Sequence, residues 1–468
     1  MREKLPDGWA PTTLGEVVDK PRSKAAPSEY PDLPFVGMDS IAPGGMSLLS
    51  VGRFGDMKSA GGIFERGDVL YGRMRPYLNK VHLARERGAC SAEFIVMPAS
   101  DRLDGGFLAY LLHQRPFVNF ASAQSSGDRP RVDFESLASF RFGLPPKREQ
   151  QRIVSRIDEL FSEIDEGERA LERAQKLVER YRQSVLKAAV TGNLTVDWLA
   201  HEGGQSHAGV CTAEAFAIEK PSVPASWRWV PLGKLIKSGP QNGVYLHQSQ
   251  YGSGCPILRI DDFQPGWVRP AGELRRVNAD DEIRTCYSLR ESDVVVNRVN
   301  SPSHLGKCLV VSGQHEGALF ESNMMRFRVD ECLLPRYLEL YLRSELGRRR
   351  LTANCKHAVN QASINQKDVA STLVPLPTVD EQIEIVNRAS KALSDSEAAV
   401  AVLEESQQQS AALRQCILKA AFSGQLVPQG PTDEPASALL ARFAEEATDA
   451  PATERRRASR ARSKSPTA

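Results

Sequence analysis

Residues 181–195 read YRQSVLKAAVTGNLT and residues 413–427 read LRQCILKAAFSGQLV, so the chain carries an internal repeat at an offset of 232 positions. The same offset maps Glu149-Gln150 onto Glu381-Gln382, Ile153-Val154 onto Ile385-Val386 and Leu144-Pro145 onto Leu376-Pro377. A constant offset over about fifty residues implies a duplicated rigid element without insertions. Upstream the match loosens. Trp9 and Leu14-Gly15 correspond to Trp227 and Leu232-Gly233 at an offset of 218, and GDVLYGRMRPYLNK (67–80) corresponds to SDVVVNRVNSPSHLGK (292–307) at 225 to 227. The drift places insertions in loops. The chain therefore reads as two divergent globular segments of about 145 to 150 residues, a normal domain size, each followed by a copy of the same element.

That element is a long helix. Both copies start just after proline (Pro145-Pro146; Pro375, Pro377) and end at glycine (Gly192, Gly424), with no proline between. In the first copy Ile153, Ile157, Leu160, Ile164, Gly167, Leu171, Ala174, Val178, Tyr181, Val185 and Ala188 alternate four and three apart, the spacing of a coiled-coil seam. Ile385, Ala389, Ala392, Ser396, Ala399, Leu403, Ser406, Ser410, Leu413, Ile417 and Ala420 occupy the equivalent places in the second. About 40 residues at ~1.5 Å each make a rod of about 60 Å. Each rod could pack on its own globular segment, or the two on each other. Domain termini usually lie close together, which brings the end of rod one to the start of rod two and favours an antiparallel pair. In that register Tyr181 faces Ala392, Ile164 faces Ser410 and Leu171 faces Leu403, large against small.

The globular segments mix strand-like runs (68–71, 94–96, 293–296) with one amphipathic helix each, over 107–120 and 335–351, and read as α+β. The expected division is 1–148, the helix 149–195, a linker 196–224, 225–376, the helix 377–426, and a last segment 427–468. That last segment holds a short helix over 436–446 and a basic tail (Arg455–Arg457, Arg460, Arg462, Lys464) that reads as disordered.

Composition excludes several classes. With 41% hydrophobic and 25% charged residues the chain is globular, and it lacks an apolar run long enough to span a membrane. No secretion signal opens it, and its eight cysteines include no close CxxC pair, which together imply reduced thiols and a cytoplasmic protein. The sequence has no GxxxxGK[ST] phosphate loop, HExxH, nucleophile elbow or strand-ending GxGxxG, and no histidine pair at metal-ligand spacing. Asp261-Asp262 reads as a turn before it reads as a Mg²⁺ site. A binding protein is expected.

What the chain offers is clustered cation and amide. The formal charge is only +2, so an acidic partner must meet a local patch. Residues 220–376 hold 21 Lys and Arg against 15 Asp and Glu, and residues 1–148 hold 20 against 17. The second segment carries Arg348, Arg349 and Arg350, then Lys356, Asn360 and Gln361; the first has Arg129 and Arg131 in the matching place. A second matched cluster sets Arg73, Arg75 and Lys80 against Arg298, Asn300 and Lys307. Such cations neutralise phosphates, and Arg, Asn and Gln read guanine and adenine edges. Each cluster also has a plainer explanation: helix-dipole compensation for Arg348–Arg350, a buried ion pair for Arg73 and Arg298.

The pattern LPDGW, LPPKREQQRIVSRIDELFSEID, RYRQSVLKAAVTGNLT, ASWRWVPLG, PLPTVDEQIEIV and LRQCILKAAFSGQLVPQGPTDEPASALLARF, in that order, resembles the specificity subunit of type I restriction-modification systems. The resemblance covers nearly the whole chain. It implies two target recognition domains that each read half of a bipartite duplex DNA target in the major groove, with the helix pair setting the gap; the antiparallel register read from the repeat already relates the two globular segments by a pseudo-twofold axis. It further implies a non-catalytic chain that recruits two methyltransferase subunits, which use S-adenosylmethionine, and restriction subunits, which use ATP and Mg²⁺. The rods and the 435–443 segment are the candidate grips for those subunits. A coiled-coil scaffold presenting two ligand-binding domains is the competing reading; a fused restriction-methylation enzyme fares worse, for want of any catalytic motif.

Overall fold

The computed structural model describes residues 5–19, 24–125, 128–201, 222–264, 266–301, 304–358 and 361–449. It divides into two compact units: residues 1–171 with 405–468, and residues 172–404. The divisions fall inside the two long helices, Lys147–Thr191 and Val379–Phe422, so each unit owns half of each helix.

Both units follow one plan. In the first, Ala10–Thr13 pairs antiparallel with Arg141–Leu144, and in the second Arg228–Pro231 pairs with Leu373–Leu376, so each globular segment begins and ends side by side immediately before its long helix. The core sheet of the first runs Val81–Leu83, Val69–Gly72, Phe94–Met97; that of the second runs Cys308–Val310, Val294–Asn297, Met324–Val329, Ile236–Asn242. All these pairings are antiparallel. Fully buried Leu70, Tyr71, Val294 and Val296 come from the two central strands, as their apolar runs require. Among the described residues no helix is long and apolar enough to cross a membrane, and no group of three or more His, Cys, Asp or Glu could hold a metal ion.

The sequence-predicted amphipathic helix of each segment is two helices. Gly105–His113 is followed by Arg115–Ala123, and Pro335–Arg343 by Glu345–Leu351, with Gln114 and Ser344 extended between them. The Ser344 hydroxyl accepts from Gly347 N–H at 3.1 Å and starts the second helix as its N-cap, while Pro116 lacks the N–H that would continue the first. The expected linker opens with a further helix, Val196–His201; residues 202–221 of it lie outside the described residues. The helix expected over 436–446 runs Ala436–Asp449 and packs on the first unit, with Ala436 N–H bonded to Gly8 O at 2.9 Å. The basic tail lies outside the described residues.

Within each unit the helix halves are antiparallel. In the first unit Arg414 bonds Asp165 and Glu168, while Arg152, further back along its helix, bonds Asp433, further along the chain. In the second, Arg182 bonds Ser396 at 2.8 Å, and Arg388 reaches Leu194 O and Asp197. Ile153, Ile157, Ile164, Val185 and Ile417 are buried as the seam requires, and Leu160, Leu171, Val178, Ala392 and Leu403 are half-buried. Tyr181 and Leu413 are not seam residues: each is 51% exposed, which corrects the proposed Tyr181–Ala392 contact. The cause is angular. A straight helix drifts about 20° per heptad from a 3.5-residue repeat, so 28 residues after Ile153 or Ile385 the pattern stands about 80° off, and the next residue carries the stripe. Those next residues are Arg182 and Arg414, both half-buried and both bonded to the opposite helix.

Candidate nucleic-acid interface

The central strand of each core sheet leaves the core through an arginine, and the same main-chain clamp receives it in both units. Arg73 N–H donates to Glu93 O at 2.8 Å and Arg73 O accepts from Val132 N–H at 3.1 Å; Arg298 N–H donates to Asn323 O at 2.8 Å and Arg298 O accepts from Ile364 N–H at 2.9 Å. Arg75 N–H then bonds Pro130 O at 2.7 Å, and Met74 bridges Arg131. In the second unit Val299 and Asn300 pair with Ser363 and Ala362, and Gln361–Ser363 pairs in turn with Lys356–Ala358. Asp133 and Asn365, 232 apart, cap the helices that follow. The repeat thus extends back through this segment, superposing Arg75 on Asn300, Arg129 on Gln361 and Arg131 on Ser363.

The clamp brings Arg73, Arg75, Arg129 and Arg131 together in the first unit, and Arg298, Asn300, Lys356 and Gln361 in the second. Arg75, Arg129, Lys356 and Gln361 are exposed, and among the described residues their side chains have no hydrogen-bond or ion-pair partner. Arg75 holds φ +52°, a left-handed conformation that costs a non-glycine residue about 1 kcal/mol or more and persists only where the surroundings fix it. The buried Nε of Arg73 and of Arg298 has no hydrogen-bond partner among the described residues. Among the described residues neither arginine forms the ion pair that was their plainer explanation; Arg298 Nη1 instead donates to Ser322 O at 3.1 Å.

Other candidates are tied within the protein. Arg131 donates two hydrogen bonds to Glu93, at 2.8 and 3.0 Å, which aim its guanidinium. Lys80 Nζ donates to Met38 O, and Asn300 Oδ1 accepts from Ser301 N–H at 2.8 Å. Burial pushes the half-buried Lys307 ammonium below its usual range; Asp261 opposes this and Arg348 adds to it. Arg349 lies 3.9 Å from Glu345 and stays exposed. Arg350 is a correction: it is 8% exposed, with its guanidinium 4.1 Å from the centroid of the Trp229 ring, so it packs the core and is not available to a phosphate. Asn360 lies outside the described residues.

Residues missed in the sequence hold the frame. Trp9 Nε1 donates to Glu149 Oε1 at 3.0 Å, and Trp227 Nε1 to Glu381 Oε2 at 2.8 Å. Gln150 and Gln382 each tie their helix start to the globular segment, through Asp104 N–H and Leu334 N–H. The signal was present, because Trp and Glu-Gln recur in both copies. Nothing local marks Glu93.

Comparison with known proteins gives one consistent answer. Residues 6–173 match the family described as type I restriction modification DNA specificity domain. The type I restriction enzyme EcoKI specificity subunit of Escherichia coli K12 is 27% identical over 335 residues, 70% of this chain and 67% of that one. The StySPI specificity subunit of Salmonella potsdam is 27% identical over 336 residues, again 70% and 67%, and the Escherichia coli EcoDI subunit is 30% identical over 203 residues, 42% and 44%. Two solved structures share the fold. A chain from a type I R-M system matches with a TM-score of 0.69 at 23% identity over 90% of this chain and 99% of that one; the HsdS subunit of Thermoanaerobacter tengcongensis matches with 0.53 at 24% over 91% and 99%.

Proposed function

We infer, for a chain that belongs to the family of type I restriction-modification specificity subunits, that it is the sequence-specific DNA-binding component of such a complex and that each unit reads one half of an asymmetric, interrupted target. The observation that carries this reading is the cationic clamp built twice: two units of different sequence hold exposed cations on one main-chain scaffold. Equivalent scaffolds with different side chains suit two half-sites of different sequence. Arginine and lysine supply affinity through phosphate neutralisation, and base edges supply the choice of sequence.

The two long helices pass from one unit to the other and serve as the spacer between half-sites. The half-site centres of such a target are expected about one helical turn apart, ~10 bp or ~34 Å, or a multiple of it. The chain itself does no chemistry. Two methyltransferase subunits carrying S-adenosylmethionine and restriction subunits using ATP and Mg²⁺ complete the complex, gripping the helices and the 435–443 segment in the cytoplasm.

Mapping modified adenines across the host genome tests the reading, because it returns both half-sites and their gap at once. An interrupted, asymmetric motif is expected; a palindromic or uninterrupted one overturns it. Binding of the assembled methyltransferase complex to that target is expected to fall steeply with salt, log–log, with a slope set by the number of phosphate contacts.

A further inference from the structure

We propose that one superposed position discriminates the two half-sites chemically: Arg129 reads a guanine in the half-site of the first unit, and Gln361 reads an adenine in that of the second. The inference rests on the DNA-binding reading above and adds which side chain meets which base.

Position is the first argument. Arg129 adjoins Pro130, whose carbonyl is held by Arg75 N–H at 2.7 Å, and Gln361 adjoins Ala362, which pairs with Asn300. Both side chains therefore start from a backbone fixed at the same point of the same clamp, as a reader must. Availability is the second. Of the sequence-predicted candidates, Arg131 is aimed by Glu93, Lys80 is bonded to Met38 O, Asn300 has its amide oxygen engaged and Arg350 is buried, whereas the side chains of Arg129 and Gln361 are exposed and have no hydrogen-bond or ion-pair partner among the described residues. Each has an exposed cation nearby on the clamp, Arg75 in one unit and Lys356 in the other, to meet a phosphate.

Chemistry is the third. A guanidinium presents two parallel donors and matches the O6 and N7 acceptors of guanine; a carboxamide presents one donor and one acceptor and matches N7 and N6–H of adenine. Arginine in one copy and glutamine in the other therefore ask for different bases from one scaffold.

The test uses the full chain assembled with its methyltransferase partners and the interrupted target found by methylation mapping. Arg129→Gln is expected to change the preference at one base pair of one half-site from G·C towards A·T, by on the order of tenfold to a hundredfold, and to leave the other half-site unchanged. Gln361→Arg is expected to do the converse in the other half. The untouched half-site reports folding in the same experiment. Uniform weakening across sequences, with the salt slope of R129Q reduced by about one and no base preference altered, makes Arg129 a phosphate contact and overturns the proposal. An unaltered motif in both variants also overturns it while leaving the DNA-binding reading intact; a wild-type complex without any interrupted motif overturns both.

Discussion

Glu149 and Glu381 are each 1% exposed, and each accepts a hydrogen bond from an indole N–H. Burial pushes both carboxyls above their usual range, against the lowering effect of those donors. A raised folded pKa means that the folded state binds the proton more tightly than the unfolded chain. This contribution to stability is fully present below the unfolded pKa and lost as pH rises through the folded one. Glu149→Gln keeps an acceptor for Trp9 and removes the charge, so its stability relative to wild type is expected to improve as pH rises from 4 to 8. Glu149→Ala orphans a buried indole donor and is expected to cost about 1–3 kcal/mol. Urea unfolding at several pH values separates the two; equal losses in both variants would show that the charge itself is required. At this scale the sequence disclosed the repeated residues but not their contacts, because Trp9 and Glu149 are 140 positions apart.

The long helices were legible as elements because periodicity, proline entrances and glycine exits are local signals. Gly424 holds φ +71°, and a Cβ there would stand 2.4 Å from Pro6 Cγ; Gly192 repeats the arrangement with φ +79° and Pro224 Cγ at 2.3 Å. Gly167 sits in mid-helix with nothing within 4 Å of a Cβ. Gly424→Ala is therefore expected to destabilise by roughly 1–3 kcal/mol, and Gly167→Ala to stabilise by about 0.5–1 kcal/mol. Thermal or denaturant unfolding decides, and the same sign for both would contradict these roles. Contact between the helices has its own measurement: a double-mutant cycle of Arg182→Ala with Ser396→Ala is expected to return a coupling of about 0.5–1.5 kcal/mol. A coupling near zero would separate the two side chains. The heptad reading missed Arg182 and Arg414 because it assumed a 3.5-residue period over four heptads, and the accumulated drift moves the stripe by one residue.

For the whole molecule the repeat has a consequence for the target. Each unit keeps its own clamp, and the proposed spacer role of the helices predicts that a change in helix length alters the gap of the target and leaves both half-sites unchanged. Inserting four residues after Gly167, which is exposed and open to a side chain, is expected to change the gap of the methylated motif while both half-sites keep their bases. Methylome sequencing of a strain carrying the insertion checks this; an unchanged gap would remove the helices from the role of spacer.

Two divergent segments and two long helices with their Glu-Gln starts and glycine ends followed from the sequence, because repeats, periodicity and helix boundaries are written in neighbouring residues. Which cations stand free was decided only by the tertiary structure. Arg131 meets Glu93 from 38 positions away, Lys80 meets Met38 from 42, and Arg350 disappears beneath Trp229, whereas the side chains of Arg129 and Gln361 have no hydrogen-bond or ion-pair partner among the described residues. Partner choice and burial depend on contacts between segments distant along the chain, and no local window of sequence contains them.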